Sequence, residues 1–152
     1  TASAVGEVNV VAAMRDTGAI LGGEGNGGVI YPTLHAGRDA LVGIALFLTQ
    51  LSHGGTSVSA LRATYPDYQM VKAKIDLDPA WDVDALLADF AQRHAALAPL
   101  TVDGVKLDLP EGWVHLRKSN TEPIVRVYAE ADTESDAQAL VKKYRDDLLA
   151  LG

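Results

Sequence analysis

The amino-acid sequence predicts the end of an α/β domain followed by a small α+β domain, in which an antiparallel sheet carries helices on one face. Three observations predict this. Helical apolar spacing dominates the first third, period-two alternation takes over after residue 68, and the stretch between them is small and polar. At 152 residues and 48% hydrophobic, the chain is long enough to bury a real core as one medium domain or two small ones.

Taken in order, Val8, Val10 and Val11 begin a strand or a helix, and Ala19-Ile20-Leu21 is a short apolar run ending at Gly22, expected as a buried strand. From Gly37 to Leu51 the residues Leu41, Ile44, Ala45, Leu48 and Leu51 recur at helical spacing, and His53-Gly54-Gly55 supplies the stop. Residues 1–54 are therefore the α/β part. Residues 55–67 are a linker, with a short helical piece ending near Tyr65-Pro66. Residues 68–152 are the second domain. There Val71, Ala73, Ile75 and Leu77 alternate with Met70, Lys72, Lys74 and Asp76, which predicts a strand with one buried face. Asp82 caps a helix that buries Val83, Leu86, Leu87, Phe90, His94 and Leu97. Three strands follow, at Val105 to Leu109, Trp113 to Arg117 and Ile124 to Ala131, the first two joined by Pro110-Glu111-Gly112. A last helix starts at Thr133-x-x-Asp136 and buries Ala137, Leu140, Val141, Tyr144, Leu148 and Leu151. The resulting order is β-α-β-β-β-α.

Composition narrows the function. Twenty acidic against 13 basic residues leave a formal charge of −7, which argues against nucleic acid or an anionic membrane as partner, because both need a positive field. There is no cysteine, so thiolate metal sites and disulfides are excluded. No apolar run reaches the length of a membrane helix, and a cytoplasmic location is the expectation. The N-terminal Thr1-Ala2-Ser3-Ala4 reads as a start in mid-fold.

Two loops carry chemistry. Gly23-Glu24-Gly25-Asn26-Gly27-Gly28 matches G-x-G-x-x-G formally, but Val29-Ile30-Tyr31-Pro32 follows where a dinucleotide fingerprint needs a helix to begin. A carboxylate and an amide among glycines suit vicinal sugar hydroxyls, since the acid accepts two donors and the amide both donates and accepts. The second loop is Arg117-Lys118-Ser119-Asn120-Thr121-Glu122-Pro123, with Arg126 nearby. Guanidinium groups, hydroxyls and turn amides together can saturate the oxygens of a phosphate dianion. Taken by composition, the same stretch is also an ordinary hairpin turn with solvated charges. His35, Arg38, Trp113 and Tyr128 are assigned structural roles.

Both loops resemble signatures of the α-D-phosphohexomutases, the phosphoglucomutase, phosphomannomutase and phosphoglucosamine mutase group. There the sugar loop reads about G-E-x-S-G-H and the phosphate loop R-x-S-N/G-T-x-P. The first match departs at Asn26 and Gly28, and Val5-Gly6-Glu7-Val8 is similar to the strand-to-helix segment that precedes it. The resemblance implies the end of domain 3 plus domain 4 of a four-domain enzyme that interconverts hexose 1-phosphate and hexose 6-phosphate through a bisphosphate. It implies Glu24 and Asn26 on sugar hydroxyls, and Arg117, Ser119, Asn120, Thr121 and Arg126 on the non-reacting phosphate. The implied partners are a hexose phosphate and the N-terminal domains of the same enzyme. No catalytic residue is expected in this chain, because Thr1-Ala2-Ser3 lacks the rest of the phosphoserine loop. Magnesium is expected in the full-length enzyme and not here, since Asp103-Gly104 is followed by Val105-Lys106-Leu107 rather than by further carboxylates. Asn120 leans toward a glucose- or mannose-type enzyme. Two alternatives remain, a stand-alone sugar-phosphate-binding module with a closed first domain, and a dehydrogenase fragment.

Overall fold

A computed structural model describes residues 1–78, 80–119 and 121–152, and divides them into two compact units, Thr1–Pro66 and Asp67–Gly152.

In the first unit the Val8 to Val11 segment is helical: α1 (Glu7–Thr17) starts after Gly6 and ends at Gly18, whose N–H returns to the Met14 carbonyl. Three short strands, β1 (Gly22–Gly23), β2 (Val29–Tyr31) and β3 (His35–Arg38), form an antiparallel sheet in the order β1-β2-β3. Two helices follow, α2 (Ala40–Gly54) and α3 (Val58–Arg62). Three expectations are corrected here. Ala19-Ile20-Leu21 is not a buried strand; Ile20 is 79% exposed and pairing begins only at Gly22. The helix expected from Gly37 begins at Ala40, because Gly37 and Arg38 belong to β3 while Asp39 accepts from the Val42 N–H at 3.1 Å and caps the helix. Finally, the apolar stripe of α2 is largely exposed, with Leu41 78% accessible and only Val42 buried.

The second unit follows the predicted order. Strands β4 (Gln69–Asp76), β5 (Val105–Leu109), β6 (Gly112–Lys118) and β7 (Ile124–Ala131) form one antiparallel sheet in the order β4-β7-β6-β5. Helices α4 (Val83–Arg93) and α5 (Glu134–Leu149) cover one face. Period-two alternation aims Ile75, Leu107, Val114, Leu116, Val125 and Val127 at that face, where they meet Leu87 and Phe90 of α4 and Leu140, Tyr144 and Leu148 of α5. Each fully buried side chain of this size contributes about 1.5–3 kcal/mol. The caps are those the sequence predicts: Asp82 accepts from the N–H groups of Asp84 and Ala85, and Thr133 from that of Asp136. His94 and Leu97 lie beyond the end of α4, His94 at its C-cap and Leu97 in a 3-10 turn, half-exposed. His94 still packs, its ring 4.6 Å from Phe90 and 5.3 Å from Tyr144.

Candidate functional site

The β6–β7 hairpin carries the basic loop. Antiparallel register sets Arg117 directly opposite Arg126, and the turn closes beyond them through Ser119 N–H to the Ile124 carbonyl at 3.0 Å and Ile124 N–H to the Glu122 carbonyl at 2.8 Å. Ser119 is 7% exposed, the only polar residue buried among those described, whereas Thr121 is exposed. Asn120 lies outside the described residues. Alternation points Arg117 and Arg126 away from the helices, because their neighbours Leu116, Val125 and Val127 fill the core.

Two like charges directly opposite on one face of a sheet repel, so the pair needs negative charge nearby. The protein supplies some of it. Arg117 Nε lies 3.5 Å from Asp103 Oδ2, Arg126 Nη2 donates to Glu122 Oε2 at 3.2 Å, and Lys118 Nζ donates to Asp84 Oδ2 at 2.6 Å. Lys74 on β4 stands opposite Arg126, which completes a row Lys74–Arg126–Arg117 across three strands. Sequence reading missed Lys74 because strand pairing alone brings it into that row; the available signal was its place on the outward face of an alternating strand. An open cleft of 590 Å³ lies beside the hairpin, lined in part by Asp84, Leu87, Thr101, Asp103 and Lys118.

In the first unit, Gly23 to Gly28 joins two antiparallel strands, with Glu24 N–H bonded to the Gly28 carbonyl at 3.1 Å. A hairpin in this position removes the dinucleotide alternative, which requires the loop to run into a helix N-terminus. Glu24 Oε1 accepts from the Gly6 N–H at 3.1 Å, so the mouth of α1 orients the carboxyl group. Asn26 Oδ1 accepts from the Gly28 N–H at 2.9 Å, which turns its NH2 end away from its own backbone. Gly28 stands where the resembling motif has His. A Cβ there would lie 2.8 Å from Arg38 Cδ, so the arginine stem occupies that space. Arg38 in turn donates from Nε to Glu7 Oε2 at 2.6 Å, a hydrogen bond that holds the Glu7 carboxyl below its ordinary pKa and the guanidinium above its own. Arg38 is thus a brace under the turn. Among the described residues, no group of three His, Cys, Asp or Glu is placed to hold a metal ion.

Fold and turns together define a mixed two-unit protein, an α/β unit with a carboxylate-amide turn and an α+β unit with a basic hairpin. Known proteins of this kind match it along its length. Residues 1–68 match the family model "Phosphoglucomutase/phosphomannomutase, alpha/beta/alpha domain III", and residues 71–147 match "Phosphoglucomutase/phosphomannomutase, C-terminal domain". A probable phosphoglucosamine mutase of Methanopyrus kandleri is 35% identical over 93% of this chain and 32% of its own length. A phosphoglucomutase/phosphomannomutase of Thermococcus kodakarensis is 33% identical over 88% of this chain and 29% of its own. The crystal structure of a Burkholderia thailandensis phosphoglucomutase/phosphomannomutase family protein superposes with a TM-score of 0.72, at 27% identity, over 97% of this chain and 31% of that one. The chain belongs to the α-D-phosphohexomutase family, and corresponds to its domain III and C-terminal domain. It spans about a third of the length of the relatives it matches.

Proposed function

We propose that this chain is the substrate-gripping part of a phosphohexomutase that interconverts hexose 1-phosphate and hexose 6-phosphate through a bisphosphate, and that it is inactive alone. Glu24 and Asn26 take the sugar hydroxyls. Arg117, Ser119, Asn120, Thr121 and Arg126 take the phosphate that is not being transferred. The observation that carries the reading is the directly opposed Arg117–Arg126 pair beside a hydroxyl-bearing turn, an arrangement that a phosphate dianion would relieve and two guanidinium groups could chelate. A mutase must hold its bisphosphate in two orientations, and gripping the distal phosphate and the shared hydroxyls serves both. Nucleophile and metal belong to the rest of the enzyme in this reading.

A stand-alone sugar-phosphate-binding module is the competing reading. It calls for a closed first unit, and the exposure of Val8, Ile20 and Leu41 speaks for the longer enzyme. Calorimetric titration with glucose 1-phosphate, set beside a mutase assay, tests the proposal. Weak binding lost in Arg117→Ala, with no turnover, is the expected result. Binding that survives the substitution, or turnover by this chain, overturns it.

A further inference from the structure

Resting on the assignment of the basic hairpin to phosphate, we propose that Asp103 is the residue that positions Arg117 for the anion. Arg117 has little freedom to find its own orientation. Its side chain is 18% exposed, and its Nε is buried without a hydrogen-bond partner among the described residues. A buried guanidinium N–H left unpaired is costly, so whatever faces it decides where the fork points. What faces it is Asp103 Oδ2, at 3.5 Å, from a side chain itself only 25% exposed. The pair is an ion contact short of full hydrogen-bond geometry, so a small rotation of either side chain completes it.

The turn that carries Asp103 is built to hold this distance. Gly104 has φ +70, and a Cβ on it would meet the Leu116 carbonyl oxygen at 2.2 Å and Arg117 Cα at 2.8 Å. Only glycine lets the turn pack directly on the backbone of the residue it positions. On the far side of that contact His115, two residues before Arg117 on the same strand, hydrogen-bonds the Asp103 carbonyl through Nε2. One tie fixes the backbone of residue 103, the other fixes its spacing from β6, and the carboxylate is left facing Nε. With the inner edge of the guanidinium engaged by a carboxylate, its planar fork directs the Nη edge elsewhere, and a phosphate takes two parallel N–H donors from such an edge.

An acidic residue so close to the proposed anion site has a contrary reading, in which Asp103 competes with phosphate for Arg117. The two give opposite signs. If Asp103 positions, Asp103→Asn weakens the affinity of the 152-residue chain for inorganic phosphate by about five- to tenfold, with Asp103→Glu partly restoring it. If Asp103 competes, Asp103→Asn binds phosphate as tightly as the wild type or more tightly, and the proposal fails. The Nε–Hε resonance of Arg117 in 1H–15N spectra supplies a second readout that stability alone does not move. In the wild-type chain it exchanges with water more slowly than that of the exposed Arg15, and in Asp103→Asn this protection is lost. Exchange in the wild type as fast as that of Arg15 overturns the proposal without any variant. Arg117→Ala separates the two levels: unchanged phosphate affinity there removes the hairpin assignment itself, whereas loss in Arg117→Ala with none in Asp103→Asn removes only the role of Asp103.

Discussion

The two units are similar in apolar content, yet one closes a core and the other does not. In the second unit, 18 buried apolar residues from four strands and two helices form one cluster among the described residues; in the first, Val10, Met14 and Ile30 do. The same apolar side chains that would complete a core in the first unit, Val8, Ile20, Leu34, Leu41 and Leu48 among them, face outward. An apolar stripe therefore predicts a helix in both units, but burial only where the sheet is broad enough to receive it; the strands of the first unit are two to four residues long.

The largest expected effect separates the units outright. Residues 67–152 expressed alone unfold cooperatively on heating, whereas residues 1–66 alone show no cooperative transition; a sharp melt from the first unit would break the comparison. Within the full chain, Phe90→Ala costs about 3–5 kcal/mol of second-unit stability because Phe90 is wholly buried between α4, the sheet and α5. Leu41→Ala in the exposed stripe of α2 costs less than about 0.5 kcal/mol, as read by denaturant midpoints.

Reading the sequence succeeded where local signals and tertiary packing agree. Strands β4 to β7 alternate, their helices carry Asp and Thr caps, and all of this is visible residue by residue. It failed at Ala19 to Leu21, and at the start of α2, where a four-residue strand and an Asp cap take up the residues from which the helix was expected to begin. The Arg117 to Pro123 turn was legible as a motif. Its opposition to Arg126, the row through Lys74 and the contact with Asp103 were not, because register and turn packing bring together residues far apart in the chain.

Two further effects sharpen the contrast. Gly104→Ala forces a side chain into left-handed backbone and against the Leu116 carbonyl, and lowers second-unit stability by about 1–3 kcal/mol in denaturant unfolding. The other concerns acid. Burial lowers the His94 pKa, against the opposing pull of Asp147, with Arg93 and Lys143 adding to the depression. The folded state then resists the proton that the unfolded chain accepts, so this contribution to stability is intact above pH 6.5 and falls as pH drops through that value toward the folded pKa. His94→Gln flattens that part of the stability–pH curve. A curve equally steep in the variant would place the titrating group elsewhere.

The proposed function stands on phosphate binding at the β6–β7 turn of the second unit, and amide shift mapping of the 152-residue chain with inorganic phosphate decides it. Shifts concentrated at Arg117, Ser119, Thr121 and Arg126, with Glu24 to Gly28 unmoved, are the predicted result. Shifts centred on the glycine turn, or on the basic residues Lys142, Lys143 and Arg145 of α5 with the hairpin silent, would contradict it.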